Sequence, residues 1–303
     1  KRNNKKNANL FLETYSKTPE SWSGCRSLIE RQDVDPQIQF FCCNIMYQKV
    51  RREWSVLPEN LQSEINGWLS NMLGSIAQGK IQCFHLVTQR LSATLAASAS
   101  LSQGGITAIV NLALQLLQTN TSPITINVAI NLLTPLPHEV SEAAITRRRE
   151  NKLTAELGSQ VPRVLGVVST LLTQQGSPSF LGGAQDQKMC VSVLQCASAW
   201  TQLKTPHSVS LAILQSTNLL SFLLQTLVSS EQFQVLEGVS ELLVSSMLPE
   251  SSFLSANTPG DQSYEHLTAI QSVMAAVLAT RPRFLQASST WNPETSQSEQ
   301  IEK

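Results

Sequence analysis

The chain is 303 residues long, 42% hydrophobic and 15% charged, enough to bury a sizeable core. Lysine plus arginine equals aspartate plus glutamate at 22 each, so the formal net charge is zero. That excludes wholesale binding to a phosphate backbone, which needs a net basic surface. The six cysteines include no C-x-x-C pair, which excludes a disulfide scaffold and reads as reduced, mostly buried thiols of an intracellular protein.

The opening KRNNKKNANLF is basic but lacks the apolar run of a secretory signal, and it starts in mid-pattern, as if an earlier part had been cut away. The first strong element is IQFFCCNIMYQKVRREW, Ile38 to Trp54. Phe40, Cys43, Tyr47, Val50 and Trp54 form one apolar stripe at helical spacing, and Ile38, Phe41, Cys42 and Ile45 a second. A helix apolar on two sides needs neighbours on two sides. Gln37, Asn44, Gln48 and Arg51 are left as its polar face, with Lys49, Arg51 and Arg52 expected to offset the dipole at its end. Pro58 then opens a second helix with a single stripe, Leu61, Ile65, Trp68, Leu69, Met72, Leu73 and Ile76, and Gly79 ends it.

The unit recurs. Further first helices are expected near Ile81, Ile126, Gln187 and Glu231, and second helices over Gly105–Leu117, Gly158–Leu172, Ser208–Val228 and Ser263–Thr280. The breaks carry Gly, Pro or Ser: Ser102-Gln103-Gly104-Gly105, Gln175-Gly176-Ser177-Pro178, Lys204-Thr205-Pro206 and Asn257-Thr258-Pro259-Gly260. Alternating β-branched runs joined by Asn-Gly or Asp-Gly hairpin turns are missing. A period of about 40–47 residues built on two helices marks a HEAT-type array. The expected fold is all-α, a right-handed superhelical α-solenoid of about six helix pairs. Residues 1–290 form one arch and 291–303 a polar tail or the start of a further repeat. One interval is too long: HEVSEAAITRRRENKLTAEL reads as an extra helix before Gly158. Thr205 to Ser230 is long and almost uncharged, but Gln215, Asn218 and Gln225 interrupt it, so it reads as a buried helix rather than a membrane span.

Chemistry is sparse. His85, His138, His207 and His266 are far apart and fit neither H-E-x-x-H nor zinc spacing. No phosphate loop, dinucleotide fingerprint or nucleophile elbow occurs, and Gly104-Gly105 and Gly182-Gly183 read as helix-boundary glycines. No catalytic residue, metal or cofactor is expected. Glu139 and Glu142 lie three apart and read as solvated surface. Asn120-Thr121-Ser122 matches the glycosylation sequon by chance. Arg147, Arg148 and Arg149 form the sharpest charged cluster. It is either a contact for an acidic partner or phosphate, or a solvated face paired with Glu150 and Glu156.

PQIQFFCCNIMYQKVRREWSVLP resembles the second repeat of importin-β (β-karyopherin) nuclear transport receptors, where Phe41, Met46, Lys49, Val50, Trp54, Leu57 and Pro58 hold the family's positions. ANLFLETYSKTPESWSGCRSLI resembles the first repeat, with Ser21-Trp22 at its mark. INLLTPLPHEV with TRRREN, and QKMCVSVLQCASAWTQLKTP with Trp200 and Leu203, are similar to the transportin-SR and importin-thirteen branch. The resemblance implies a non-enzymatic, monomeric receptor arch that shuttles between cytoplasm and nucleus. It implies as partners the GTPase Ran in its GTP form, protein cargo and Phe-Gly nucleoporins, with no direct nucleic-acid contact and no membrane insertion. In that family Ran lies on the second helices of the N-terminal repeats, here Glu20–Arg31, Glu59–Ile76 and Gly105–Gln118. Their polar faces offer Arg26, Glu30, Glu64, Asn71, Asn111 and Gln115 as Ran contacts. The alternative is a HEAT scaffold or adaptor outside nuclear transport.

Overall fold

Two short signals of one kind start two of the first helices. Asp35-Pro36 and Ser122-Pro123 each set a capping side chain ahead of a proline whose missing N–H costs nothing there. The Asp35 carboxylate accepts from the Gln37 N–H at 2.7 Å, and the Ser122 hydroxyl from the Thr125 N–H at 3.2 Å. Gly79 stops the second helix by taking a left-handed conformation (φ 70°). Its N–H bonds back to the Ile76 carbonyl and that of Lys80 to the Ser75 carbonyl, which satisfies two orphan acceptors.

The computed structural model describes residues 12–143, 146–174, 184–202, 214, 216–230, 232–247, 268 and 270–282. Its helices are α1 (Glu20–Glu30), α2 (Pro36–Glu53), α3 (Glu59–Ala77), α4 (His85–Leu101), α5 (Gly105–Thr119), α6 (Pro123–Leu133), α7 (Leu136–Glu142), α8 (Arg147–Gln174), α9 (Ala184–Thr201), α10 (Leu219–Ser229) and α11 (Phe233–Met247), then residues 270–282. No strand occurs among the described residues. The first helices α2, α4, α6, α9 and α11 pack side by side in one row. The second helices α1, α3, α5, α8 and α10 pack onto that row. The fold is therefore the HEAT-like solenoid that the periodicity predicts, with one continuous apolar core running from Trp22 to Val273. Among the described residues no helix is long and apolar enough to cross a membrane.

Several expectations need correction. The helix expected over Ser208–Val228 is interrupted at Thr217-Asn218, where Asn218 is left-handed (φ 58°) and α10 begins. On α2, Ile38 and Phe41 are exposed, while Gln39 and Lys49 are buried in their stead. Periodicity ranks residues by polarity and misses buried polar groups that have partners. The Gln39 amide donates to the Ile29 and Arg31 carbonyls at 3.2 and 2.7 Å, closing the end of α1. The Lys49 ammonium donates to the Thr18 carbonyl at 2.9 Å and pairs with Glu53 at 3.0 Å, with the Trp22 ring centroid 5.3 Å away. It is no solvated helix-end cation.

Glu139 is likewise buried rather than solvated, and accepts from the Tyr47 hydroxyl at 2.7 Å. Burial pushes its carboxyl above the ordinary range, against the opposing pull of Tyr47 and Arg51. Finally, the expected extra helix and the second helix after Gly158 are not separate. After the short α7, α8 runs unbroken for 28 residues through Gly158 and Pro162.

The tight turn between α4 and α5 explains the Gly104-Gly105 pair. Gly104 is left-handed (φ 69°), and a Cβ on Gly105 would sit 2.6 Å from the Ala99 backbone. The expected breaks at 175–178, 204–206 and 257–260, with Gly182-Gly183, His207, His266, the N-terminal run and the 291–303 tail, lie outside the described residues.

Candidate functional site: a groove on the first second-row helices

α1 and α3 each pack against the first row, α1 on α2 and α3 on α4 and α6. A groove of about 490 Å³ lies between them, lined by residues of both, including Arg26, Glu30, Glu64, Gly67, Trp68 and Asn71. Side chains bridge it. Arg26 Nη1 donates to Glu64 Oε1 at 2.8 Å, across the groove, and Arg26 Nε to Glu30 Oε1 at 3.1 Å along its own helix. The indole N–H of Trp68 donates to the same Glu30 oxygen at 2.6 Å, and the Arg26 guanidinium lies 5.6 Å from the Trp68 ring centroid.

The spacing explains the arrangement. Arg26 and Glu30 are four apart and share a face of α1, as Glu64, Trp68 and Asn71 share a face of α3. All three charged groups are substantially solvent-exposed. Two carboxylates and one guanidinium leave the groove one negative charge in excess.

Four of the six expected contacts, Arg26, Glu30, Glu64 and Asn71, thus line one groove. The other two do not line it. Asn111 and Gln115 lie exposed on α5, and the Asn111 carbonyl oxygen accepts from Arg163 of α8 at 3.0 Å. Trp68 is buried in the core as its stripe predicts, and its indole edge also lines the groove. The signal for this was its place four residues after Glu64 on the face opposite Arg26.

The basic cluster divides. Arg149 turns inward and donates to the Leu101 carbonyl at the end of α4, an interaction that also complements that helix's dipole. Arg147 and Arg148 stay exposed in the first turn of α8. Glu156 pairs with neither; it accepts from the Thr107 N–H and hydroxyl at 2.9 and 2.8 Å.

On the other face, a groove of about 670 Å³ lies among the first-row helices α4, α6 and α9. Ile126, Ile130, Met189 and Val193 give it apolar walls, and Gln89, Asn127 and Asn131 give it amides. No cluster of three or more His, Cys, Asp or Glu able to hold a metal ion occurs among the described residues.

A model of the family described as "Exportin 1-like protein" matches residues 85–237, half of the chain. Proteins named Importin-13 from Bos taurus, Mus musculus and Homo sapiens are each 27% identical to it over 220 residues. The match covers 70% of this chain and 21% of each relative, so the chain spans about a fifth of their length. Asn111, Gln115 and Arg147 to Arg149 fall inside the family match, and the groove between α1 and α3 precedes it.

Proposed function

Because the chain belongs to the Exportin 1-like, importin-β-type family, we propose that it is the N-terminal part of a nuclear transport receptor, one that binds Ran in its GTP form and carries protein cargo between cytoplasm and nucleus. The family gives a receptor rather than an enzyme. The observation that carries the Ran reading is the convergence of Arg26, Glu30, Glu64 and Asn71, chosen from the polar faces of separate helices, on a single groove. Binding there is by surface complementarity: an exposed groove with excess negative charge steers and orients a partner more than it anchors it. The groove among α4, α6 and α9 is the place where Phe-Gly segments fit best, because its apolar walls take a ring and its amides meet an extended backbone.

The relatives' name, Importin-13, supports transport as the wider role of this chain. Ran and cargo would be coupled through their different affinities for two curvatures of the array. The test is retention of Ran by the immobilised chain. Ran locked in the GTP form should be retained and the GDP form should not. Equal retention of both forms, or of neither by folded protein, would overturn the Ran reading and leave a scaffold outside nuclear transport.

A further inference from the structure

We infer that Glu30, Glu64 and the face of Trp68 form a receiving site for a lysine or arginine side chain of the protein partner, and that Arg26 holds that place in the free chain. The inference rests on the reading that this groove meets a partner, and it deepens that reading by naming the chemistry of the contact.

Charge comes first. One guanidinium serves two carboxylates, and it does so through a single oxygen of each, Oε1 of Glu30 and Oε1 of Glu64. The Glu30 oxygen also takes the Trp68 N–H. The excess charge is negative, so the complementary occupant is a cation.

The resident arrangement is also easy to exchange. Arg26, Glu30 and Glu64 have side-chain exposures of 40%, 47% and 63%, and ion pairs this exposed contribute little. The two helices are held by their packing on the first row. Releasing Arg26 to solvent while another cation takes its place leaves that packing untouched. The incoming group would find what Arg26 now uses, two carboxylates and an aromatic face.

The wall beside the site is low. Gly67 lies on the groove side of α3 in ordinary helical conformation, and a Cβ there would meet nothing within 4 Å. The fold does not require glycine at this place, and a helix interior disfavours it. Its effect is to let a partner's backbone come close enough for a side chain to reach Glu30 and Glu64.

The experiment measures binding of GTP-locked Ran to the full chain and to Arg26→Gln, the double variant Glu30→Gln with Glu64→Gln, and Gly67→Leu, each at low and at physiological salt. Arg26→Gln should bind about fivefold tighter, the size of a surface ion pair no longer in competition. The double variant should bind about tenfold weaker and lose most of its salt dependence. Gly67→Leu should weaken binding while leaving helix content intact. Weaker or unchanged binding by Arg26→Gln would overturn the inference, and so would unchanged binding by the double variant. If the parent chain retains no Ran, the Ran reading fails separately. The site is then read with tetralysine, which should quench tryptophan fluorescence in the parent, more so in Arg26→Gln, and not in Trp68→Phe. No quench in the parent would overturn the inference as well.

Discussion

Glu156 caps α5 from 49 residues away: one carboxylate oxygen accepts both the backbone N–H and the hydroxyl of Thr107. α5 begins at Gly104-Gly105, where no side chain can cap. A residue of α8 fills that role. Replacing Glu156 by alanine should cost about 1 kcal/mol, as the loss of an N-cap does. Glutamine, whose amide oxygen still accepts, should restore most of it. Urea unfolding of the two variants measures the difference.

Lys49 is expected to be the least replaceable polar side chain of α2. It is fully buried and donates to the Thr18 carbonyl. Lys49→Ala should destabilise by about 2–4 kcal/mol, combining a cavity with an unsatisfied buried carbonyl. Lys49→Met, which fills the space but donates nothing, should recover part of that loss. Equal stability of Lys49→Ala and the parent in urea would show that the ammonium contributes nothing.

Glu139 should make the protein less stable as pH rises. Its folded-state carboxyl lies above the ordinary value of 4.5, chiefly through burial. The folded state therefore binds the proton more tightly than the unfolded chain does. The stabilisation is complete below about pH 4.5 and is lost as pH rises through the folded value. Glu139→Gln keeps an acceptor for Tyr47 and removes the charge. The variant should be more stable than the parent near neutrality, and the gap should close in acid. Unfolding curves for both proteins across that pH range test the sign.

The thiols should react in the order of their access. Cys83 is partly exposed, while Cys25, Cys42, Cys43, Cys190 and Cys196 are buried. Burial pushes Cys190 up to about 11 and Cys196 up to about 12, so neither supplies thiolate near neutrality. Alkylation of the native protein followed by peptide mapping should label Cys83 first, and Cys190 and Cys196 only after unfolding.

Two glycines should respond in opposite ways. Gly74→Ala meets nothing within 4 Å and should stabilise α3 by about 0.5–1 kcal/mol. Gly105→Ala drives a Cβ to 2.6 Å from the Ala99 backbone and should lower the thermal midpoint by several degrees, at a cost of about 2 kcal/mol or more. Differential scanning calorimetry compares them directly.

Much of this architecture is legible in the sequence because stripes of Leu, Ile, Trp and Met at helical spacing and Gly or Pro punctuation report burial directly. The bounds of α1, α3 and α5 fall within two residues of the expected Glu20–Arg31, Glu59–Ile76 and Gly105–Leu117. What stays hidden is polar. Nothing local shows that Lys49 is buried and Arg52 is not, since the carbonyl that Lys49 meets lies 31 residues earlier. Gly158 looks like a helix boundary, but α8 runs through it and through Pro162. The groove is half legible: polar residues on second helices pick out Arg26, Glu30, Glu64 and Asn71, while the indole edge of Trp68 requires coordinates.

Arg149, Glu156 and Arg163 recur every seven residues along α8 and meet Leu101, Thr107 and Asn111 in turn. Such spacing keys the joint between α8 and the end of α4 with α5, because a slip by one turn would break all of these bonds together. Among the described residues α3 and α5 share no side-chain hydrogen bond, so sliding there has no such detent to overcome. If the array flexes like a spring, that seam, which shares α3 with the groove that holds Arg26, yields more readily than the keyed joint between α5 and α8.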